Sequence, residues 1–208
     1  MRIQAIRYVL MILFACLITP VQAQKKDYSR GYVIPPDGDT LEGWVKDRST
    51  GTFPDLYPRI RFKPDHSLFR KKYGPGEILA YSVDGQIYES VPLREESAFF
   101  RFDYYLQEGN DRVFLKLVSR EKDLTYYHWE YIDDDSNYLD YIPLFYRSGS
   151  SEMVRVTQGI LGLKRKKLIR YFYDCPGLVY AIQAKELNDI HEVYDFYLDQ
   201  CANVTEGY

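Results

Sequence analysis

Across residues 78–146, apolar and aromatic side chains return at every second position, and short turn sequences break the run into pieces of strand length. Period-two alternation marks a strand with one buried face. Short connections make successive strands antiparallel neighbours. The sharpest instance is residues 78–91, where Asp84-Gly85 sits between two alternating arms. A two-residue type I′ turn needs positive φ at both positions, which Asp-Gly supplies. Counting outward from it pairs Val83 with Gln86 and Tyr81 with Tyr88, so two tyrosines meet across the hairpin.

The rest of the β pattern is read the same way. Residues 31–34 and 41–46 flank Pro35-Pro36-Asp37-Gly38-Asp39 and form a first hairpin. Residues 59–63 make a short strand between loops at 47–57 and 64–77. Downstream, Ala98, Phe100, Phe102, Tyr104 and Leu106 share a face, as do Val113, Leu115 and Leu117 on the next strand. Tyr127, Trp129 and Tyr131 share a face of a third strand, the acidic turn 133–137 follows, and a fourth strand covers 138–146. Residues 153–157 add an edge strand. About ten strands must curl into a barrel or fold into a sandwich to bury a face, and the pattern leaves that choice open.

After Gly162 the period changes. Residues 164–173 are basic and helical, Pro176 falls in the first turn of the next helix, and Asp189 with Glu192 has capping-box spacing ahead of a last one. Ile190, Val193, Tyr194, Tyr197, Leu198 and Cys201 make its apolar stripe. The fold class is therefore mainly β (α+β): an antiparallel sandwich or barrel-like sheet with a small C-terminal helical cap. The organisation is a signal peptide at 1–23, a β domain at 24–158 and a helical segment at 159–208.

The signal peptide rests on Arg2 and Arg7, an uncharged apolar run over residues 8–18, and the small-residue site Val21-Gln22-Ala23. At about 11 residues the run is short of the roughly 20 that span a bilayer. Leu13-Phe14-Ala15-Cys16 loosely resembles a lipoprotein box, but Phe14 is bulky and a good cleavage site stands downstream. Cleavage after Ala23 removes two arginines and no acid, moving the formal charge from −3 to −5. A mildly acidic chain is poorly equipped for nucleic acid, where cation–phosphate contacts dominate. The expected location is the periplasm, the outer-membrane surface or the medium, with no transmembrane helix in the mature chain.

Chemistry is sparse. Export leaves Cys175 and Cys201 as the two cysteines, and two cysteines in an oxidising compartment pair, here between helices that must pack together. His66, His128 and His191 have no ligand partner at metal spacing. Asp133, Asp135 and Asn137 begin like a calcium loop, but Tyr138 and Leu144 stand where glycine and the bidentate glutamate belong. Lys164-Arg165-Lys166-Lys167 wraps round its helix and forms a solvated start, not a patch. There is no nucleophile elbow and no phosphate loop, and no spacing singles out two carboxylates. No catalytic residue, metal or cofactor is assigned. The twenty-one tyrosines suit half-buried strand positions, and the candidate binding face is Tyr127, Trp129 and Tyr131.

Three places together carry a resemblance: Gly31-Tyr32 with Gly38-Asp39-Thr40-Leu41-Glu42-Gly43; Tyr73, Pro75, Glu77-Ile78, Gly85, Tyr88 and Ser90; and Tyr171-Phe172-Tyr173-Asp174-Cys175-Pro176 with Tyr197 and Cys201. The chain resembles a group of exported proteins of Bacteroidetes-type Gram-negative bacteria to which no activity is assigned. The resemblance implies export and a recurring fold, and it carries over no catalytic residue. It also makes Asp39-Thr40-Leu41 a candidate O-glycan site, beside its plainer reading as a turn exit. The function expected is a non-enzymatic envelope module that binds a protein or glycan. The rival is a hydrolase acting on envelope or dietary polymers through paired carboxylates.

Overall fold

The computed structural model describes residues 28–51, 54–98, 101–109 and 111–202. The apolar N-terminal run, Cys16, the Val21-Gln22-Ala23 site and Phe100 lie outside the described residues. Among the described residues eleven strands form one antiparallel sheet: β1 (Ser29–Ile34), β2 (Leu41–Arg48), β3 (Leu56–Pro64), β4 (Lys71–Tyr73), β5 (Ala80–Val83), β6 (Gln86–Ala98), β7 (Arg101–Leu106), β8 (Arg112–Glu121), β9 (Leu124–Ile132), β10 (Leu139–Arg147) and β11 (Glu152–Arg155). Their order is β4-β3-β2-β1-β5-β6-β7-β11-β10-β9-β8, and β8 returns to pair with β6. That last pairing closes the six strands β6 to β11 into a barrel, and the other five fan from its side as an extension. Of the two architectures left open by the alternation, the barrel is the one that forms.

Strand β6 belongs to both parts. Its Ser90 N–H donates to Leu79 O at 2.8 Å, and its Pro92 C=O accepts from Gln107 N–H at 3.2 Å. Residues 90 and 92 point the same way, so the β5 side and the β7 side occupy one edge of β6 in succession. Strand β8 takes the other edge, from Ile87↔Leu117 to Pro92↔Arg112. Pro92 stands where one neighbour hands over to the next. It has no N–H to leave unpaired there, which is why a proline is tolerated inside the strand.

Three apolar clusters follow from the pleat. The barrel lumen holds Val91, Leu93, Tyr104, Leu115, Tyr127, Leu144 and Met153, with Trp129 and Ile142 packed against them. On the outer face, Leu124, Tyr126, Phe145, Val154 and Val156 meet the helices α1 (Arg165–Tyr171), α2 (Pro176–Gln183) and α3 (Ile190–Gln200). Strand β9 is aromatic on both faces because both faces are covered. A smaller cluster, Val33, Val45, Ile60, Phe62, Ile78, Tyr81 and Tyr88, seats the extension against the outside of the barrel. Gly31 and Gly43 face each other across β1 and β2. A Cβ on Gly31 would lie 1.9 Å from Ser82 O, so the backbones approach too closely there for any side chain.

The hairpin at Asp84-Gly85 forms in the expected register, with Tyr81↔Tyr88 and Val83↔Gln86. Both turn residues have positive φ, 50° and 76°, and the tyrosine rings stack at 4.7 Å. The capping box of α3 is present on both sides, and Pro176 opens α2. Other expectations change. Residues 98–106 are not one strand: β6 runs to Ala98 and turns back, with Ala98 opposite Arg101. Ala98 therefore faces away from Phe102, Tyr104 and Leu106. The expected loop 64–77 contains β4, and the loop 47–57 gives residues to β2 and β3 at its two ends. The expected edge strand at 153–157 is β11, which is internal: it sits between β7 and β10 and closes the barrel.

Candidate functional site

The described residues with the densest unexplained chemistry line a cleft where the extension meets the barrel. The β2–β3 register shifts between Lys46↔Arg61 and Arg48↔Leu56, where a single β2 residue stands against residues 57–60 of β3. That β2 residue, Asp47, is buried on the same side as Val45, and Arg48 reaches across the cleft. From the barrel side come Tyr88 of β6, Lys116 of β8 and Glu130 of β9, all on the outer face. Two adjoining cavities of about 410 Å³ and about 630 Å³ share Asp47, Arg48, Tyr88 and Glu130 in their walls.

Arg48 is the hub. Its Nε and one Nη donate to Asp47 at 3.1 and 2.8 Å, and the same Nη lies 2.8 Å from Glu130 and 2.8 Å from the Tyr88 hydroxyl. Tyr88 O–H donates to Glu130 at 3.2 Å, Tyr81 O–H to Asp47 at 3.3 Å, and Lys116 Nζ stands 3.8 Å from the other Glu130 oxygen. The carboxylates are largely shielded, with side chains 7% and 11% exposed. Burial alone pushes the Arg48 guanidinium down, but Asp47, Tyr88 and Glu130 outweigh it and hold Arg48 charged. Burial is also the main reason that the Tyr81 and Tyr88 hydroxyls are held above the usual phenol range.

This geometry brings two carboxylates together. Each has an oxygen 2.8 Å from one Arg48 nitrogen, so those oxygens are no further apart than twice that distance. A retaining glycosidase spaces its pair at about 5–5.5 Å, but it keeps the space between them for the sugar and one carboxyl protonated. Here the Arg48 guanidinium fills that space. The group is built to hold charges fixed and to present hydrogen-bonding edges. Tyr57, Pro58, Val113 and Phe114 give the smaller cavity an aromatic and apolar side, and Arg112 adds a second cation to its wall.

Tyr127, Trp129 and Tyr131 do share a face, and it is the lumen, not the cleft. Tyr127 is 3% exposed; its hydroxyl donates to Glu89 and accepts from Arg120 at 2.7 Å. Trp129 packs edge-on against Tyr104 at 6.0 Å. Tyr131 is half-buried near the barrel mouth, its hydroxyl 3.0 Å from Asp140. Cys175 and Cys201 are brought together as expected, with sulfurs at the disulfide distance of 2.00 Å and Cα atoms 5.7 Å apart. In the acidic turn, Asp133 accepts from the Ser136 N–H at 3.1 Å and the Ser136 hydroxyl at 2.5 Å, which closes the hairpin.

The neighbouring His128 has a titration consequence. Its ring stacks on Tyr141 at 3.8 Å, and Nε2 lies 2.8 Å from the Tyr126 hydroxyl. Burial first, then the charges of Lys116 and His191, push its pKa down from 6.5 to about 4. The unfolded chain thus binds this proton at higher pH than the native one, so stability falls as the pH drops from 6.5 toward 4. The expected loss is below about 3 kcal/mol, because solvent screens a ring that is only partly buried. Melting temperatures across that window should fall more steeply for the native sequence than for His128→Phe, which keeps a ring against Tyr141 and cannot titrate. Parallel slopes would remove His128 from the account.

In comparisons with known proteins, no family model, no curated protein and no solved structure matches this chain.

Proposed function

We propose that this is an exported, non-enzymatic binding module of the cell envelope, and that its ligand, a glycan, occupies the cleft between the extension and the barrel. The observation that carries the reading is the Asp47–Arg48–Glu130 cluster set in the wall of a concave site with aromatic sides. Binding sites of this kind are concave and mostly apolar, with a few fixed polar groups that orient the ligand. Carboxylate oxygens and the outer edge of Arg48 suit hydroxyl groups, and the faces of Tyr57 and Phe114 suit the C–H face of a sugar ring. Because Arg48 stands between the carboxylates, the arrangement favours recognition over hydrolysis. Export is supported by the N-terminal sequence and by the cysteine pair at disulfide distance. No helix among the described residues is long and apolar enough to cross a membrane.

Tyr57 gives the test, because it is half-buried on the cleft wall and is not part of the Arg48 cluster. Calorimetric titration with oligosaccharides released from the envelope should detect binding, and Tyr57→Ala should weaken it about tenfold, the worth of one aromatic contact of about 1.5 kcal/mol, with the melting temperature little changed. Absence of binding to every envelope glycan, or equal binding by Tyr57→Ala, would sink the cleft as the site. Release of shortened products, abolished by Glu130→Gln, would favour the hydrolase instead.

A further inference from the structure

The tip of the β3–β4 hairpin presents two large apolar side chains to solvent. Leu68 and Phe69 stand there side by side, 90% and 81% exposed. Their presentation is fixed, not incidental: Ser67 N–H donates to Pro64 O at 3.2 Å, and Phe69 N–H donates to the Ser67 hydroxyl at 3.1 Å. A turn that merely reverses the chain uses small polar residues. Single exposed apolar side chains need no explanation, but two adjacent large ones at the apex of a protruding hairpin do.

The strands behind the tip supply a second, independent observation. Cross-strand partners share a face, and the register Arg30↔Trp44↔Lys63 and Lys46↔Arg61↔Lys72 gathers these side chains on the face of the extension opposite its small core. Across residues 59–72 the sequence holds Arg59, Arg61, Lys63, Arg70, Lys71 and Lys72 against one acid, Asp65. Asp65 is bound to Arg30, and Arg59 is bound to Glu77. Arg61, Lys63, Arg70, Lys71 and Lys72 have no acidic partner among the described residues. Arg61 and Arg70 lie over the rings of Tyr57 and Tyr28, at 4.5 and 5.2 Å. Lysines on an edge strand can serve only to block strand addition; that role explains Lys71 and Lys72 on β4 and leaves Leu68 and Phe69 unexplained.

We propose that this hairpin docks the protein on a bilayer surface with anionic headgroups, Leu68 and Phe69 entering the acyl boundary and Arg61, Lys63, Arg70, Lys71 and Lys72 meeting the phosphates. Apolar insertion beside a cationic collar is the arrangement that holds interfacial proteins on anionic membranes, and long cationic side chains can lie along the boundary with their heads in the headgroup layer. The charge is placed for it: the chain as a whole carries −3, and these unpaired cations sit at its far edge. Arg61, over the Tyr57 ring, borders the cleft; the test below needs no ligand there.

Sedimentation with vesicles tests it, using phosphatidylcholine mixed with phosphatidylglycerol and phosphatidylcholine alone. The protein should partition onto the mixed vesicles and not onto the neutral ones, and added salt should weaken the binding. Leu68→Ser/Phe69→Ser and Lys71→Glu/Lys72→Glu should each lower the partition about tenfold or more, with melting temperatures unchanged because both pairs are exposed. No binding by the native sequence, or native-like binding by both variants, overturns the proposal. So does a dimer in lipid-free solution that Leu68→Ser/Phe69→Ser dissociates, since the tip would then serve a second copy. Equal retention of native protein and Leu68→Ser/Phe69→Ser on a soluble polyanion, with no vesicle binding, overturns it as well.

Discussion

Arg48→Met should destabilise the protein by about 3–5 kcal/mol, the usual cost of leaving a buried charge uncompensated. The loss comes less from the missing attractions than from what is left behind. Asp47 and Glu130 are 7% and 11% exposed and face a common centre. Without the guanidinium they repel one another across it, and the Tyr88 hydroxyl loses a donor. Urea unfolding gives the number. The decisive comparison is the triple variant Asp47→Asn/Arg48→Met/Glu130→Gln, which removes the charges together. Replacing a whole buried ionic group is often neutral, so the triple variant should regain most of what the single one loses. If Arg48→Met unfolds no more readily than the native protein, the cluster is solvated and the cleft is not the organised site described above.

Breaking the link between Cys175 and Cys201 should have the second large effect. The two residues are 26 apart in sequence, and a loop of that length adds roughly 3–4 kcal/mol through restriction of the unfolded chain. Cys175→Ala/Cys201→Ala should therefore lower the melting temperature by roughly 10 °C for a chain of this size. The cap should remain folded in the variant at lower temperature. Cys175 precedes α2 and Cys201 follows α3, so the link joins helix ends, whereas the packing of the cap rests on Leu168, Phe172, Leu178, Val193 and Tyr197 against β9 and β10. Arg147 adds a second tie, with two bonds of 2.8 Å to Asp174 and its guanidinium over the Tyr197 ring. Free thiols in the purified protein, or an unchanged melting temperature, would show that the link contributes nothing.

Local chemistry was legible in the sequence. The Asp84-Gly85 turn, the Tyr81–Tyr88 pair, the Asp189/Glu192 box and the Pro176 helix start each depend on residues a few positions apart, so nothing distant had to be known. The failures share a cause. At Ala98 the chain doubles back, and alternation continues through the turn in the wrong phase, so one strand seemed to run from 98 to 106. β11 looked like an edge because its two partners, Tyr104–Tyr105 and 144–146, are set by closure of the ring and not by any feature of residues 152–155. The cleft was less legible still. Arg48 and Glu130 are 82 positions apart, Arg48 fell in an apparent loop, and Glu130 differs from a solvated strand residue only by what the fold lays over it. The Tyr127, Trp129 and Tyr131 face was correctly read as one face, but only the closed ring makes it a lumen.

The sharing of β6 between barrel and extension bears on how the molecule opens. Two β units that merely touched could detach and breathe separately. Here β6 is bonded to β5 over residues 86–89 on one edge and to β8 over residues 87–92 on the other, and residues 93–98 are bonded to β7. Peeling the extension away exposes the seam of the ring, and loosening the ring strips the root of the extension. Segments coupled in this way exchange their amide hydrogens as one unit. The backbone of β6 should be the slowest-exchanging strand in deuterium labelling, and anything that occupies the cleft should protect amides inside the ring that it never touches.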